Sequence, residues 1–129
     1  MIFEDGRSIY RQIVEYVESQ ISNGEWLPDD RIPSVRELAV ELGVNPNTIQ
    51  RSYSMLQEEG LIYNQRGLGY FVSPDGPERS RTLRRAQFET EMLPRVFETM
   101  RAIGYTISDL ENAERRWERG ELGKGDVHA

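Results

Sequence analysis

Hydrophobic residues recur with helical spacing near the start of the chain. From Ile9 to Ile21, every fourth position carries a branched apolar residue, the spacing that places side chains on one face of a helix. Ser8 precedes this stripe as an N-cap would, and Gly24 follows it as a stop would. The pattern predicts a first helix from Ser8 to Gly24 with a structural role.

The connector from Gly24 to Pro33 contains two prolines and two aspartates, so it cannot continue the helix. We expect Trp26 and Leu27 to pack under the helices as part of the core. After the connector, Ser34 and Glu37 have the spacing of a capping box. They predict a short second helix that ends at Gly43.

A third helix is predicted from Pro46 to about Glu59. Asn45 lies at its cap, and Pro46 takes the first helical position, where a missing N–H costs nothing. Gly60 stops it. Its core-facing positions are Ile49, Tyr53 and Leu56, whereas a different face carries Asn47, Thr48 and Arg51.

Two short runs of aromatic and branched residues follow, Leu61–Tyr63 and Tyr70–Ser73, and they flank the segment Gln65–Gly69. The glycines of this segment supply backbone conformations that other residues disfavour, which is typical of a hairpin tip. Helices and hairpin in this order predict a winged helix-turn-helix, whose second helix can enter a DNA major groove.

The segment Pro74–Pro77 predicts a linker. We therefore expect a winged helix-turn-helix domain over residues 1–75 and a helical extension over residues 76–129, with a frayed tail from Gly120. The fold class is mainly α with a small β-hairpin: a winged helix-turn-helix followed by a short two-helix C-terminal dimerisation extension. The first helix of this extension is expected over 78–103, kinked or split where Pro94 removes a backbone hydrogen bond. The second spans 106–119 and begins with a Thr106/Asp109 capping pair.

Two amphipathic helices cannot bury their apolar faces alone. A twofold homodimer is the economical solution, and packing against the chain's own winged helix is the alternative. The candidate interface residues are Leu93, Val96, Phe97, Met100, Ile107, Leu110 and Trp117.

The charge of the chain weighs against nucleic-acid binding. It has 22 acidic and 16 basic residues; residues 1–75 hold 6 arginines, no lysine and 12 acids, whereas DNA-binding domains often show a basic footprint. Binding would have to depend on a few well-placed arginines, with the acids turned away from the duplex.

The composition gives little support for other classes of function. The chain has no cysteine and one histidine, His128 next to the C-terminus, so we expect no thiol chemistry, metal or cofactor. With no phosphate-loop motif either, an enzyme is disfavoured. No membrane-length apolar run and no signal-peptide layout occur, so we expect a soluble cytoplasmic protein.

The third helix carries the residues best suited to reading bases. Arg51 can pair bidentately with guanine, and Asn47 and Thr48 can bond to base edges or phosphates. The backbone amides near them would suit a phosphate oxygen at the positive end of the helix. Alternatively, Arg51 could be a solvated arginine paired with an acid.

Further DNA-binding candidates lie on the flanking elements. Arg36 and Ser34 begin the second helix, where Arg36 could hold a phosphate or instead pair with Glu37 or Glu41. At the hairpin tip, a long basic side chain can reach a groove and the glycines allow close approach. These residues are Arg66, Gly67 and Gly69.

Four motifs in this region resemble the DNA-binding domain of GntR-family bacterial transcription regulators. They are PS-x-R-x-L-A from Pro33, GV-x-x-x-T from Gly43, L-x-x-x-GLI from Leu56 and RG-x-G-x-FV from Arg66. With the first helix, the resemblance covers about 65 residues. It implies DNA contacts at Arg36, in the third helix, and in the wing from Arg66 through Gly69.

One position departs from the common sequence of the family: Gln50 stands where many members have arginine. The wording around it is similar to the YtrA-like subfamily, which carries a base at the position of Arg51. The resemblance therefore favours Arg51 over Gln50 as the base contact. About 54 residues follow the wing, too few for the effector or aminotransferase-like domains of other subfamilies.

The resulting hypothesis is a dimeric, sequence-specific DNA-binding regulator, a repressor on a (pseudo)palindromic operator. Its partners would be double-stranded DNA and a second copy of the chain. A winged-helix module that binds protein instead of DNA is the alternative, and the acidic charge permits it. The operator sequence and any small-molecule effector stay open.

Overall fold

The computed structural model describes Phe3 and residues 7–123. The chain divides into two compact units, one that ends at Ala86 and one that begins at Gln87. His128 and most of the predicted frayed tail lie outside the described residues.

Four helices belong to the first unit: α1 (Ile9–Ser22), α2 (Val35–Leu42), α3 (Pro46–Glu58) and α4 (Gly76–Gln87). The predicted caps of α2 and α3 are confirmed. Ser34 Oγ accepts from the Glu37 amide at 3.1 Å, and the Glu37 carboxylate accepts from the Ser34 amide at 3.0 Å. At α3, Asn45 Oδ1 accepts from the Asn47 amide at 2.8 Å. The helix-turn-helix thus forms where local capping chemistry places it.

The hairpin consists of β1 (Ile62–Gln65) and β2 (Gly69–Val72), which pair antiparallel with Gln65 opposite Gly69. We call β1, β2 and the turn between them the wing. The connector before α2 adds a short bridge to the free edge of β2, with Arg31 paired opposite Phe71. This bridge was not predicted, because the connector shows no strand-like alternation of polar and apolar residues.

The core of the first unit lies where α1, α2, α3 and the wing meet. Tyr53 is fully buried, and its hydroxyl donates to the Pro33 carbonyl at 2.7 Å. The expectation for Trp26 is met, since it packs edge-on against Tyr16. The one for Leu27 is wrong: its amide is tied to Asp30 in a tight turn, and its side chain is 54% exposed.

The predicted linker Pro74–Pro77 is shorter in the structure, because α4 already begins at Gly76. Proline is tolerated in the first helical turn, where its missing N–H has no partner to lose. Farther along α4, the buried Ser80 donates its hydroxyl hydrogen to the Glu18 carbonyl at 2.8 Å. The helix is therefore docked on α1 as part of the first unit.

The second unit contains a π-helical turn (Phe88–Met92), α5 (Leu93–Ile103) and α6 (Ile107–Glu118). Pro94 cannot donate to the carbonyl four residues earlier, and the backbone before it takes the wider π turn. The helix expected over 78–103 is therefore split, and α4, α5 and α6 replace the expected two-helix extension. The Thr106/Asp109 capping box is confirmed, with hydrogen bonds of 2.9 and 3.0 Å.

Candidate nucleic-acid interface

Helix α3 presents a polar face on the side away from the core. Ile49 and Tyr53 are fully buried, whereas Asn47 and Arg51 are exposed and Thr48 is half-buried. Helical periodicity places these side chains as predicted. The face carries two neutral hydrogen-bonding groups and one guanidinium, a combination suited to base edges.

The backbone amides at the start of α3 do not have the role that the sequence suggested. The Asn47 amide donates to Asn45 Oδ1, and the Thr48 amide donates to the Asn45 carbonyl at 3.0 Å. Because the Asn45 cap already uses both donors, they are not free for a phosphate oxygen. The prediction of amide contacts with a phosphate here is therefore wrong.

Arg51 stacks on an aromatic ring instead of pairing with an acid. Its guanidinium carbon lies 3.6 Å from the centre of the Tyr10 ring on α1, well within the range of a cation–π interaction. Within the described part of the chain, Arg51 makes no hydrogen bond or ion pair. Its N–H groups are therefore available to a ligand.

The residue next to Arg51 ties α3 to α1. Ser52 is fully buried, and its Oγ lies 2.9 Å from the carbonyl oxygens of both Tyr10 and Thr48. The single hydroxyl hydrogen is shared between the two acceptors. Ser52 thereby fixes the first turn of α1 against the start of α3.

Gln50 contacts the wing. Its side-chain amide donates to the Tyr70 hydroxyl over 3.4 Å, and the Tyr70 ring packs edge-on against Tyr53 with ring centres 4.9 Å apart. Gln50, which stands where many family members have arginine, therefore has a structural role, because it joins α3 to β2.

Arg36 and Arg66 are exposed at the second position of α2 and in the wing turn. Neither makes a hydrogen bond or ion pair with any residue that the structure describes. The alternative pairing of Arg36 with Glu37 is not seen, because the Glu37 carboxylate binds the Ser34 amide. The backbone and side-chain hydrogen bonds with Ser34 lower the pKa of the Glu37 carboxyl group.

The two wing glycines differ in their surroundings. A Cβ at Gly67 (φ +81°) would meet open space, as expected for a backbone that can be approached closely. A Cβ at Gly69 (φ +116°) would lie 3.1 Å from Arg31 Nε. Gly69 therefore accommodates an arginine of its own chain as well as a backbone conformation that L-residues rarely adopt.

Arg31 is a candidate that sequence reasoning missed. It is exposed, lies on the bridge beside β2 and runs past Gly69 in the wing. Its only sequence signal is an arginine between two aspartates and an isoleucine-proline pair, which does not reveal the bridge. The structure adds this guanidinium to the basic groups near the wing.

Part of the acidic excess of this unit is directed inward. Glu18 is 1% exposed, and Glu59 is half-buried beside it. Burial, followed by the negative charge of Glu59, raises the pKa of Glu18 to about 7, which favours the protonated form of its carboxyl group. The exposed negative charge of this unit is therefore smaller than the sequence count suggests.

The second unit exposes much apolar surface. Met100 and Ala113 are buried within it, whereas large apolar side chains on all three of its helical elements are exposed. Leu93 and Val96 are half-buried. The exposed candidate interface residues are Phe97, Ile107, Leu110 and Trp117.

Among the residues that the structure describes, no helix is long and apolar enough to cross a membrane. Residues 7–123 and Phe3 also contain no group of three or more side chains that could hold a metal ion.

The pattern of the family described as "Bacterial regulatory proteins, gntR family" matches residues 9–72. Among curated proteins, the chain is 42% identical over 76 residues to the transcriptional repressor YtrA of Bacillus subtilis. That alignment covers 57% of this chain and 58% of YtrA. The chain thus spans less than two thirds of the length of the curated relatives it matches.

Solved structures extend the similarity. A GntR-family transcriptional regulator from Listeria monocytogenes superimposes with a TM-score of 0.75 at 33% identity, over 88% of this chain and 98% of that one. The AraR DNA-binding domain in complex with operator ORX1 superimposes with a TM-score of 0.51 at 35% identity, over 56% of this chain and 93% of AraR. The latter match covers little more than half of the chain.

Proposed function

The chain belongs to the GntR family of bacterial regulatory proteins, and we propose that it is a homodimeric, sequence-specific repressor. It would act in the bacterial cytoplasm on a (pseudo)palindromic operator. In this proposal α3 enters the major groove, and the wing contacts the adjacent backbone or minor groove. One winged helix-turn-helix domain, residues 1–75, supplies each half of the contact, and residues 76–129 supply the dimer interface.

The observation that carries the proposal is a set of exposed arginines whose N–H groups have no hydrogen-bond acceptor among the described residues. Arg36, Arg51 and Arg66 are exposed on α2, α3 and the wing, and none has a hydrogen bond or ion pair among the residues described. Some arginines elsewhere pair with acids: Arg79 pairs with Asp75, and Arg119 with Glu121. In a chain with an excess of acids, three exposed guanidinium groups with available N–H donors fit an anionic ligand.

The relatives support the same proposal. YtrA is named as a repressor, and the AraR domain was solved with an operator. The family pattern covers residues 9–72, from α1 through the wing, the region that holds Ser34, Arg36, Asn47, Thr48, Arg51, Arg66, Gly67 and Gly69. We propose these residues as the DNA-binding set, with Arg31 added. Arg51 is the one that discriminates between bases.

The exposed apolar side chains of the second unit support a homodimer. We propose an interface formed by Leu93, Val96, Phe97, Ile107, Leu110 and Trp117. Met100 is 7% exposed, so it is left out of this proposed interface. A twofold interface presents two copies of α3, and half-sites one helical turn apart, about 10 base pairs, fit such a pair.

Selection from random-sequence duplexes tests this function without assuming a target gene. The proposal predicts an enriched sequence with inverted half-sites, protected in two patches when the purified protein is footprinted on it. The full chain with Arg119→Ala is the control for loss of one positive charge, since Arg119 is an exposed arginine already paired with Glu121. This variant should enrich the same sequence. Failure to enrich any sequence would instead favour a winged-helix module that binds protein.

A further inference from the structure

We propose that Tyr10 is a positioning residue for base recognition, which holds the Arg51 guanidinium by its face so that its N–H edge meets the base. The inference rests on the proposed function, because it assigns a second residue to the contact made by Arg51. Tyr10 belongs to α1, outside the helix-turn-helix that carries the proposed contacts.

The geometry separates the two surfaces of the guanidinium. With its carbon 3.6 Å from the ring centre, Arg51 has one face covered by Tyr10. The five N–H donors of a guanidinium lie in its plane, and a ring on the face does not use them. Arg51 makes no hydrogen bond within the described structure, so the edge needed for guanine O6 and N7 stays available.

The Tyr10 ring is itself held in place. Tyr10 is half-buried in the first turn of α1, ahead of the fully buried Ile13. Its carbonyl oxygen lies 2.9 Å from the hydroxyl of Ser52, the residue after Arg51. The ring and the arginine are therefore placed relative to each other by a contact that involves neither side chain.

This arrangement favours specific over nonspecific binding. A free arginine loses much rotamer entropy when it is fixed in one geometry. Bidentate pairing with guanine requires that geometry, whereas attraction to phosphates needs only the charge. Removing the ring should thus weaken binding to the selected site more than binding to unrelated DNA.

The test measures dissociation constants for the selected operator and for a scrambled duplex at one salt concentration. The full chain is compared as wild type, Tyr10→Leu, Tyr10→Phe, Arg51→Ala and the Tyr10→Leu/Arg51→Ala double variant. Tyr10→Leu should lower the preference for the operator by about two- to fivefold, the range expected for an exposed cation–π contact. Tyr10→Phe keeps a ring and should stay near wild type.

The double variant provides the decisive comparison. Without Arg51, Tyr10→Leu should cause no further loss of preference. An equal loss in both backgrounds would assign Tyr10 a merely structural role, and an increased preference would mean that the stack holds Arg51 away from the base. Either result overturns the inference. A wild-type protein without any operator preference refutes the proposed function itself.

A spectroscopic readout covers the case in which a variant folds poorly. A proton on the face of an aromatic ring resonates at unusually high field, so the Arg51 Nε–H signal should be shifted in the free wild-type protein. It should keep that shift in Tyr10→Phe and lose it in Tyr10→Leu. An unshifted signal in the folded wild-type protein contradicts the proposed stack.

Discussion

Glu18 and Glu59 are an unusual pair of side chains for the interior of a small domain. Each has a buried carboxylate oxygen without a hydrogen-bond donor from the described residues. Because the two carboxyl groups are close enough to interact, a shared proton is the simplest arrangement that satisfies both. Around them lie three further charged groups, Glu15 and Arg11 from α1 and Arg84 from α4.

A pH dependence of stability follows from this pair. The pKa of Glu18 rises from an ordinary 4.5 to about 7 on folding, so the folded chain keeps a proton that the unfolded chain releases. The resulting stabilisation is complete below pH 4.5 and is lost as pH rises to 7. Relative to wild type, Glu18→Gln should gain about 1 kcal/mol of unfolding free energy per pH unit across that window.

Urea unfolding at several pH values between 5 and 8 measures this difference. Glu58→Gln is the matched control, since Glu58 is an exposed acid next to the pair. Its unfolding free energy should parallel that of wild type at every pH. A parallel profile for Glu18→Gln as well would show that no proton is taken up by the pair.

Among the helices and strands, local chemistry determined what could be predicted. The α2 and α6 capping boxes and the glycine stop at Gly43 depend on residues within one or two turns, so the sequence alone reveals them. The Arg31–Phe71 bridge joins positions 40 residues apart, and Arg51 stacks on a ring 41 positions earlier. Such contacts depend on how the elements pack, which a residue pattern does not encode directly.

The capping box of α2 should contribute measurably to stability. In Ser34→Ala the Glu37 amide loses the acceptor at 3.1 Å, and a lost cap costs about 4 °C or more of Tm in a domain of this size. Thermal unfolding by circular dichroism measures the change.

Ser54→Ala serves as the matched control for this cap. Ser54 is exposed in α3, and its hydroxyl bonds only to the Gln50 carbonyl of the same helix. Little change in Tm is expected there. If both alanine variants lose the same amount, the cap is not a special contributor.

At the scale of the whole molecule, the two units have different surfaces. The first buries most of its apolar residues in one core, although Val40 and Leu27 are exposed, whereas the second buries only Met100 and Ala113 among the described residues and leaves Trp117 65% and Ile107 58% exposed. The sequence predicted these apolar faces, because helical periodicity is a local property. It could not distinguish Met100, which is buried inside the second unit, from the positions that are exposed.

Self-association should therefore depend on the second unit. Trp117→Glu and Ile107→Glu each place a charge on the proposed interface and should weaken the dimer at least tenfold, as measured by sedimentation equilibrium. Leu27→Glu adds the same charge at an exposed apolar site of the first unit and should leave the dimer intact. A monomeric wild-type chain, or interface variants with unchanged self-association, would contradict the proposed dimer.

Base recognition by Arg51 is tested by comparing wild type and Arg51→Ala on the selected operator and a scrambled duplex, at low and moderate salt. Wild type should prefer the operator, and its affinity for both duplexes should fall steeply as salt increases. Arg51→Ala should lose about tenfold or more of the preference and bind the scrambled duplex nearly as well as wild type. Equal affinity of wild type for both duplexes, or an unchanged preference in Arg51→Ala, would contradict sequence-specific recognition through Arg51.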